Sequence, residues 1–132
     1  MERLFVDTGA WFAFVNRADP EHEAVGALLD SFRGRLITSS YVFDETVTLC
    51  LARLGHQAAS LIGQTLLDAD IVDFFRVSAS DEKAAWELFL ARPDKAYSFT
   101  DCTSFVLMRR LGIPRAAAVD GHFRQEGFET GP

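Results

Sequence analysis

Short apolar runs alternate with longer stretches of helical periodicity along the chain. Arg3 to Val6 is an apolar run ending at Asp7, the pattern of a strand buried on both faces of a parallel sheet. Thr8 to Asn16 reads as helical. Asp19-Pro20-Glu21 then predicts a helix start, with an N-cap acid, proline in the first position and an acid in the first turn. That helix is expected to run through Phe32 and close at Gly34, before a second strand at Leu36-Ile-Thr38. Ser39 or Ser40 caps the next helix, which stops at Gly55. An amphipathic segment covers His56 to Ala69, and the β-branched and aromatic stretch Ile71 to Val77 predicts a third strand. Ser78-Ala-Ser-Asp81 has capping-box spacing and opens a helix to Ala91, ended by Arg92-Pro93. Ser98-Phe-Thr-Asp101 leads into another helix, stopped by Gly112 and Pro114, after which Ala116 to Val119 predicts a strand ending at Asp120.

Helix and strand therefore alternate, which implies right-handed βαβ units. The expected fold is α/β: a three-layer open parallel sheet with helices on both faces. With 132 residues the chain is expected to form one domain over residues 1–132, and 48% hydrophobic against 24% charged residues excludes a disordered chain. Thirteen Lys plus Arg against nineteen Asp plus Glu give a net charge of -6, so no broad positive field attracts polyanions. A nucleic-acid role has to rest on a local arrangement. Cys50 and Cys102 lie far apart, so neither a disulfide scaffold nor a Cys-based zinc site is encoded, and a cytoplasmic setting is expected. Glu2 and Asp7 interrupt the place a secretory signal would need, and no apolar run reaches the ~20 residues that span a bilayer. Twelve Phe and two Trp leave apolar surface for a dimer or a partner helix.

In doubly wound sheets the ligand site lies beyond the carboxyl ends of the strands. Asp7 and Asp120 are expected there, Glu45 about one turn into the helix after the second strand, and Asp101 at the start of the helix before the last strand. Four carboxylates facing one crevice repel each other unless a cation sits among them. All-oxygen ligands favour Mg²⁺ or Mn²⁺, and the chemistry implied is phosphoryl transfer by metal-activated water.

Each residue also has an ordinary reading. Asp101 fits a helix N-terminal acid, Glu45 beside Asp44 a solvated helix surface, and Asp120-Gly121 a turn. Asp7 is the hardest to explain that way, because it closes an apolar strand, and the case rests on the four acids together. His122 beside Phe123 reads as structural or solvent-facing rather than as a ligand. Cys102 lacks a supporting His and reads as a small buried residue, on a core stripe with Phe105, Met108 and Leu111.

Four segments in order resemble the PIN-domain family, and more narrowly its VapC-like ribonuclease toxins of prokaryotic toxin-antitoxin pairs. They are Phe5-Val-Asp7-Thr-Gly-Ala-Trp11, Ser40-Tyr-Val-Phe-Asp-Glu45-Thr46, Ser98-Phe-Thr-Asp101-Cys-Thr-Ser-Phe105, and Ala118-Val-Asp120-Gly-His-Phe123 before Gly127-Phe128. The resemblance implies a metal-dependent endoribonuclease, frequently dimeric and inhibited by a small antitoxin protein. By that resemblance Asp7, Glu45, Asp101 and Asp120 are the catalytic acids that bind Mg²⁺ or Mn²⁺, and Thr8 orients the first of them. Gly9, Ala118 and His122 depart from the family's pattern, in which Ser or Asn, Thr or Ser, and a further acid are common. The alternative within this fold is an inactive PIN-like module used for binding or dimerisation, against which stands the presence of all four acids.

Two other families share single features. Val6-Asp7-Thr8-Gly9-Ala10 matches the active-site motif of aspartic proteases, but that fold is almost wholly β-sheet and this pattern is strongly helical. A receiver domain shares the doubly wound sheet, but needs an acidic pair near the N-terminus and a late Lys, and neither is evident.

Overall fold

The computed structural model describes residues 2–132. Five strands, β1 (Arg3–Val6), β2 (Arg35–Ser39), β3 (Val72–Phe75), β4 (Arg115–Ala117) and β5 (Glu129–Gly131), form one parallel sheet in the order β3-β2-β1-β4-β5. Around it lie α1 (Thr8–Val15), α2 (His22–Ser31), α3 (Ser40–Leu54), α4 (His56–Leu66), α5 (Ala79–Ala91), α6 (Phe99–Leu111) and the single-turn α7 (His122–Gln125). The expected three-layer α/β architecture is the one observed. From β1 the chain adds β2 and β3 on one side, then returns to add β4 and β5 on the other. The direction of winding thus reverses between β1 and β4, the place where open α/β sheets form a ligand crevice.

Central β1 is why its residues carry an uninterrupted apolar run: Leu4, Phe5 and Val6 are completely buried, as are Ile37 of β2 and Ala116 and Ala117 of β4. Phe123, on α7, is also completely buried. Its ring centroid lies 4.9 Å from that of Phe105 and 6.2 Å from that of Phe5. Burying one such side chain contributes roughly 1.5–3 kcal/mol, enough to anchor a helix of one turn. The far end of α7 is held by Glu126, whose carboxylate accepts from Arg92 at 3.0 Å and Arg109 at 2.8 Å.

Several boundaries differ from the sequence expectation, each for a local reason. α2 starts at His22 rather than at Pro20, because Asp19 Oδ1 accepts the Glu21 amide at 2.8 Å and builds a turn in place of a helix cap. α4 ends at Leu66, short of Ala69, where Asp68 accepts the Asp70 amide in a similar turn. β3 stops at Phe75 because its only neighbour, β2, ends opposite it at Ser39; beyond the strand the Val77 amide donates to Ser40 Oγ at 3.0 Å. β4 ends at Ala117, so Asp120 lies in the bend after the strand instead of at its tip. β5 and α7 were not foreseen. β5 is Glu-Thr-Gly, without an apolar or alternating pattern, and is held by the Ala118 amide donating to the Gly131 carbonyl and the Glu129 amide to that of Pro114.

Candidate active site

Asp7 occupies the N-cap position of α1, yet its side chain makes no cap bond. The residue is only 4% exposed, and its Oδ1 is buried without a hydrogen-bond partner. Burial pushes its carboxyl well above the ordinary carboxylate range, and the charge of Asp101 adds to the rise. The Thr8 amide works against it, while Asp120 and Glu45 push it further up. Asp7 follows β1, Asp120 follows β4 and Glu45 lies in the helix after β2, three parallel strands, and the His122 ring lies 2.9 Å from Asp101 and 3.7 Å from Asp120, so the four sequence-predicted acids lie at one end of the sheet. A buried carboxylate in this setting is stable as an anion only beside a cation.

Asp101 is the third residue of α6. It forms a reciprocal capping box with Ser98: Asp101 Oδ2 accepts the Ser98 amide at 3.0 Å, and Ser98 Oγ accepts the Asp101 amide at 3.0 Å. The ordinary reading of Asp101 as a helix-start acid therefore holds together with its place at the site. Its Oδ1 is the oxygen this box does not use. Glu45 is half-buried in the second turn of α3, whose start is set by Ser39 Oγ accepting the Val42 amide at 3.1 Å. A groove of about 390 Å³ beside it is lined by Asp44, Glu45, Thr48, Leu49, Ala52 and Thr100, and so runs from Glu45 to the residue preceding Asp101. Asp120 is the most open of the four, its side chain 46% exposed, with Oδ1 accepting the His122 amide at 3.0 Å.

Thr8 is buried beside Asp7, but its hydroxyl makes no hydrogen bond, so it does not orient the Asp7 carboxylate by side-chain contact. What sequence reading missed is His122. Its Nδ1 lies 2.9 Å from Asp101 Oδ2 and 3.7 Å from Asp120 Oδ2, which puts the imidazole inside the acid group instead of in solvent or a separate core. The signal was present in Asp120-Gly-His122, where a turn two residues long brings the His back toward the acid that precedes it. Cys102 is completely buried, as expected, and its thiol is pushed up to about 11 by burial and by the Asp101 charge, so it offers no nucleophile here.

Among the described residues, no three His, Cys, Asp or Glu side chains stand close enough together to hold a metal ion as they are placed. The donor set nevertheless fits a hard divalent ion. It offers carboxylate oxygens, one of them buried and unpartnered, to a cation that characteristically keeps several of its own waters.

A family model described as PIN domain matches residues 4–128. The chain belongs to the PIN-domain family. This PIN domain is 39% identical over 125 residues to the 23S rRNA-specific endonuclease VapC20 of Mycobacterium tuberculosis, with 95% of each chain covered. The crystal structure of VapC20, a sarcin-ricin loop cleaving toxin, superposes with a TM-score of 0.93 over 98% of this chain and 99% of that one. FitAcB from Neisseria gonorrhoeae superposes with a TM-score of 0.74 over 98% of this chain and 96% of that one. At 12% identity it shows the shared fold alone. No helix among the described residues is long and apolar enough to cross a membrane.

Proposed function

We propose that this PIN domain is a divalent-metal-dependent endoribonuclease and the toxin of a toxin-antitoxin pair, with Asp7, Glu45, Asp101 and Asp120 holding Mg²⁺ or Mn²⁺. The observation that carries the reading is Asp7: a carboxylate buried at the β1–β4 switch point, lacking a partner for Oδ1 and surrounded by like charge. Such a group costs stability unless a cation is its function. Asp7 and Asp101 would hold the ion most directly, with Glu45 and Asp120 completing the pocket through oxygens or waters. When bound, a divalent ion of this kind makes a water more acidic and offsets charge on a phosphodiester. The end of β1 sets the backbone position of Asp7, and the Ser98 capping box the carboxylate of Asp101, so both acids already stand at the crevice in which a cation would bridge them to a substrate phosphate.

RNA is the proposed substrate, and the near full-length similarity to a 23S rRNA-specific endonuclease supports ribosomal RNA as its class. The proposed partners are a cognate antitoxin protein and a second copy of the chain. Exposed Leu61, Leu67, Trp86 and Leu90 supply apolar surface for them. The proposed setting is the cytoplasm, with residues 1–132 acting as one nuclease domain. The test is cleavage of ribosomal RNA by the purified chain. Activity that vanishes with chelator and returns with Mg²⁺ or Mn²⁺ is the expected result; cleavage that survives full chelation overturns the metal reading.

A further inference from the structure

His122 touches two of the four acids, and in different ways. Its ring Nδ1 meets Asp101 Oδ2 at 2.9 Å, while its backbone amide meets Asp120 Oδ1 at 3.0 Å. Because a carboxylate only accepts, the proton in the first contact sits on Nδ1. Asp101 Oδ2 thus receives two donors, the His122 ring and the Ser98 amide, and has one oxygen, Oδ1, left to offer. Asp120 likewise keeps Oδ2. The imidazole has little freedom to leave: its neighbour Phe123 is completely buried, and its ring packs edge-on to Tyr97 with centroids 5.6 Å apart. A free carboxylate can rotate and bind an ion through either or both oxygens. One whose second oxygen is tied by two donors is fixed as a single-oxygen ligand of set direction.

We infer that His122 is a positioning residue for the divalent-ion site, its ring fixing Asp101 so that Asp101 binds the ion through one oxygen. This rests on the metal reading proposed above. His122 thus puts a donor on an existing ligand and adds no fifth negative charge to the group.

The test is Mn²⁺ binding to the full chain, measured by titration calorimetry and by the Mn²⁺ electron paramagnetic resonance signal, without any RNA. His122→Ala removes the ring donor but leaves the backbone amide on Asp120. His122→Asn places a side-chain N–H the same number of bonds from Cα as Nδ1 and so keeps the donor. Loss of such a partner typically weakens metal binding about 10–100-fold. The expected result is a weakening of that size for His122→Ala and recovery to within a few-fold of native for His122→Asn, with both variants folded by circular dichroism. Native-like Mn²⁺ affinity in His122→Ala overturns the inference. So does an Asn variant as weak as the Ala one, since packing on Tyr97 would then be the cause. Both of those outcomes leave the metal reading standing, whereas a native chain that binds no Mn²⁺ overturns the metal reading and the inference with it.

Discussion

The amide of Asp7 donates to the carbonyl of Ala117 across 3.0 Å, and this bond is the last between β1 and β4 before the backbone after β4 bends away toward Asp120. It holds the backbone of Asp7 at the mouth of the crevice while the side chain is left without a partner. The carboxyl is raised, so ionising it costs stability: the cost begins as pH rises past the ordinary value near 3.8 and is complete above the raised value in the folded state. Asp7→Asn removes that charge with little change in volume. It is expected to abolish RNA cleavage and at neutral pH to raise the melting temperature of the metal-free protein. For a chain of this size ~1 kcal/mol corresponds to roughly 3–5 °C. A variant that retains cleavage, or melts below the native chain without metal, contradicts this assignment.

Glu126 shows the opposite balance. Burial alone raises its carboxyl, but hydrogen bonds from Arg92 and Arg109 outweigh that and hold it below its ordinary value. Its contribution to stability is therefore complete above about pH 4.5 and is lost as pH falls through the lowered value. Glu126→Gln is expected to cost about 2 kcal/mol at neutral pH. That is less than the roughly 3–5 kcal/mol of a fully buried pair, because both guanidinium groups stay partly in water. The difference between native and variant should shrink in urea melts at progressively lower pH; a constant difference would mean the ion pairs are not its source.

Ser98→Ala separates the two halves of the α6 capping box. The hydroxyl that accepts the Asp101 amide is lost, while the backbone amide that donates to Asp101 Oδ2 remains. The expected cost is about 1 kcal/mol of stability. Metal-dependent cleavage should stay within a few-fold of native below the melting temperature, because Asp101 keeps both donors. A loss of cleavage as severe as that of Asp7→Asn would show that the hydroxyl does more than cap the helix.

Both cysteines are free and buried, and burial raises both thiols, that of Cys102 to about 11. Thiolate is the reactive form, so a thiol reagent at neutral pH should react negligibly with the native protein and with 2 thiols per chain after unfolding. Rapid native-state labelling of Cys102 would mean that the core beside Asp101 opens, and would reopen the question of its role.

The sequence by itself determined the elements whose signals are local. Ser39, Ser78 and Ser98 cap helices because a hydroxyl meets an amide three residues on, whatever surrounds it. The run Arg3 to Val6 marked a central strand because only a strand covered on both faces needs so many apolar residues in succession. These features were enough to read the fold class, and acids placed at or within two turns of element ends made Asp7, Glu45, Asp101 and Asp120 the candidates. Only the tertiary structure decided what depends on partners remote in sequence. β5 exists because β4 offers it an edge, not because Glu-Thr-Gly favours a strand. Thr8 turned out to have a buried hydroxyl with nothing to bind, although its position beside Asp7 suggested a contact. His122 reaches Asp101 across 21 residues because Phe123 is drawn into the core next to it. Spacing along a chain can express a hydrogen bond within a turn, but the direction of a side chain set by packing exists only once the chain has folded.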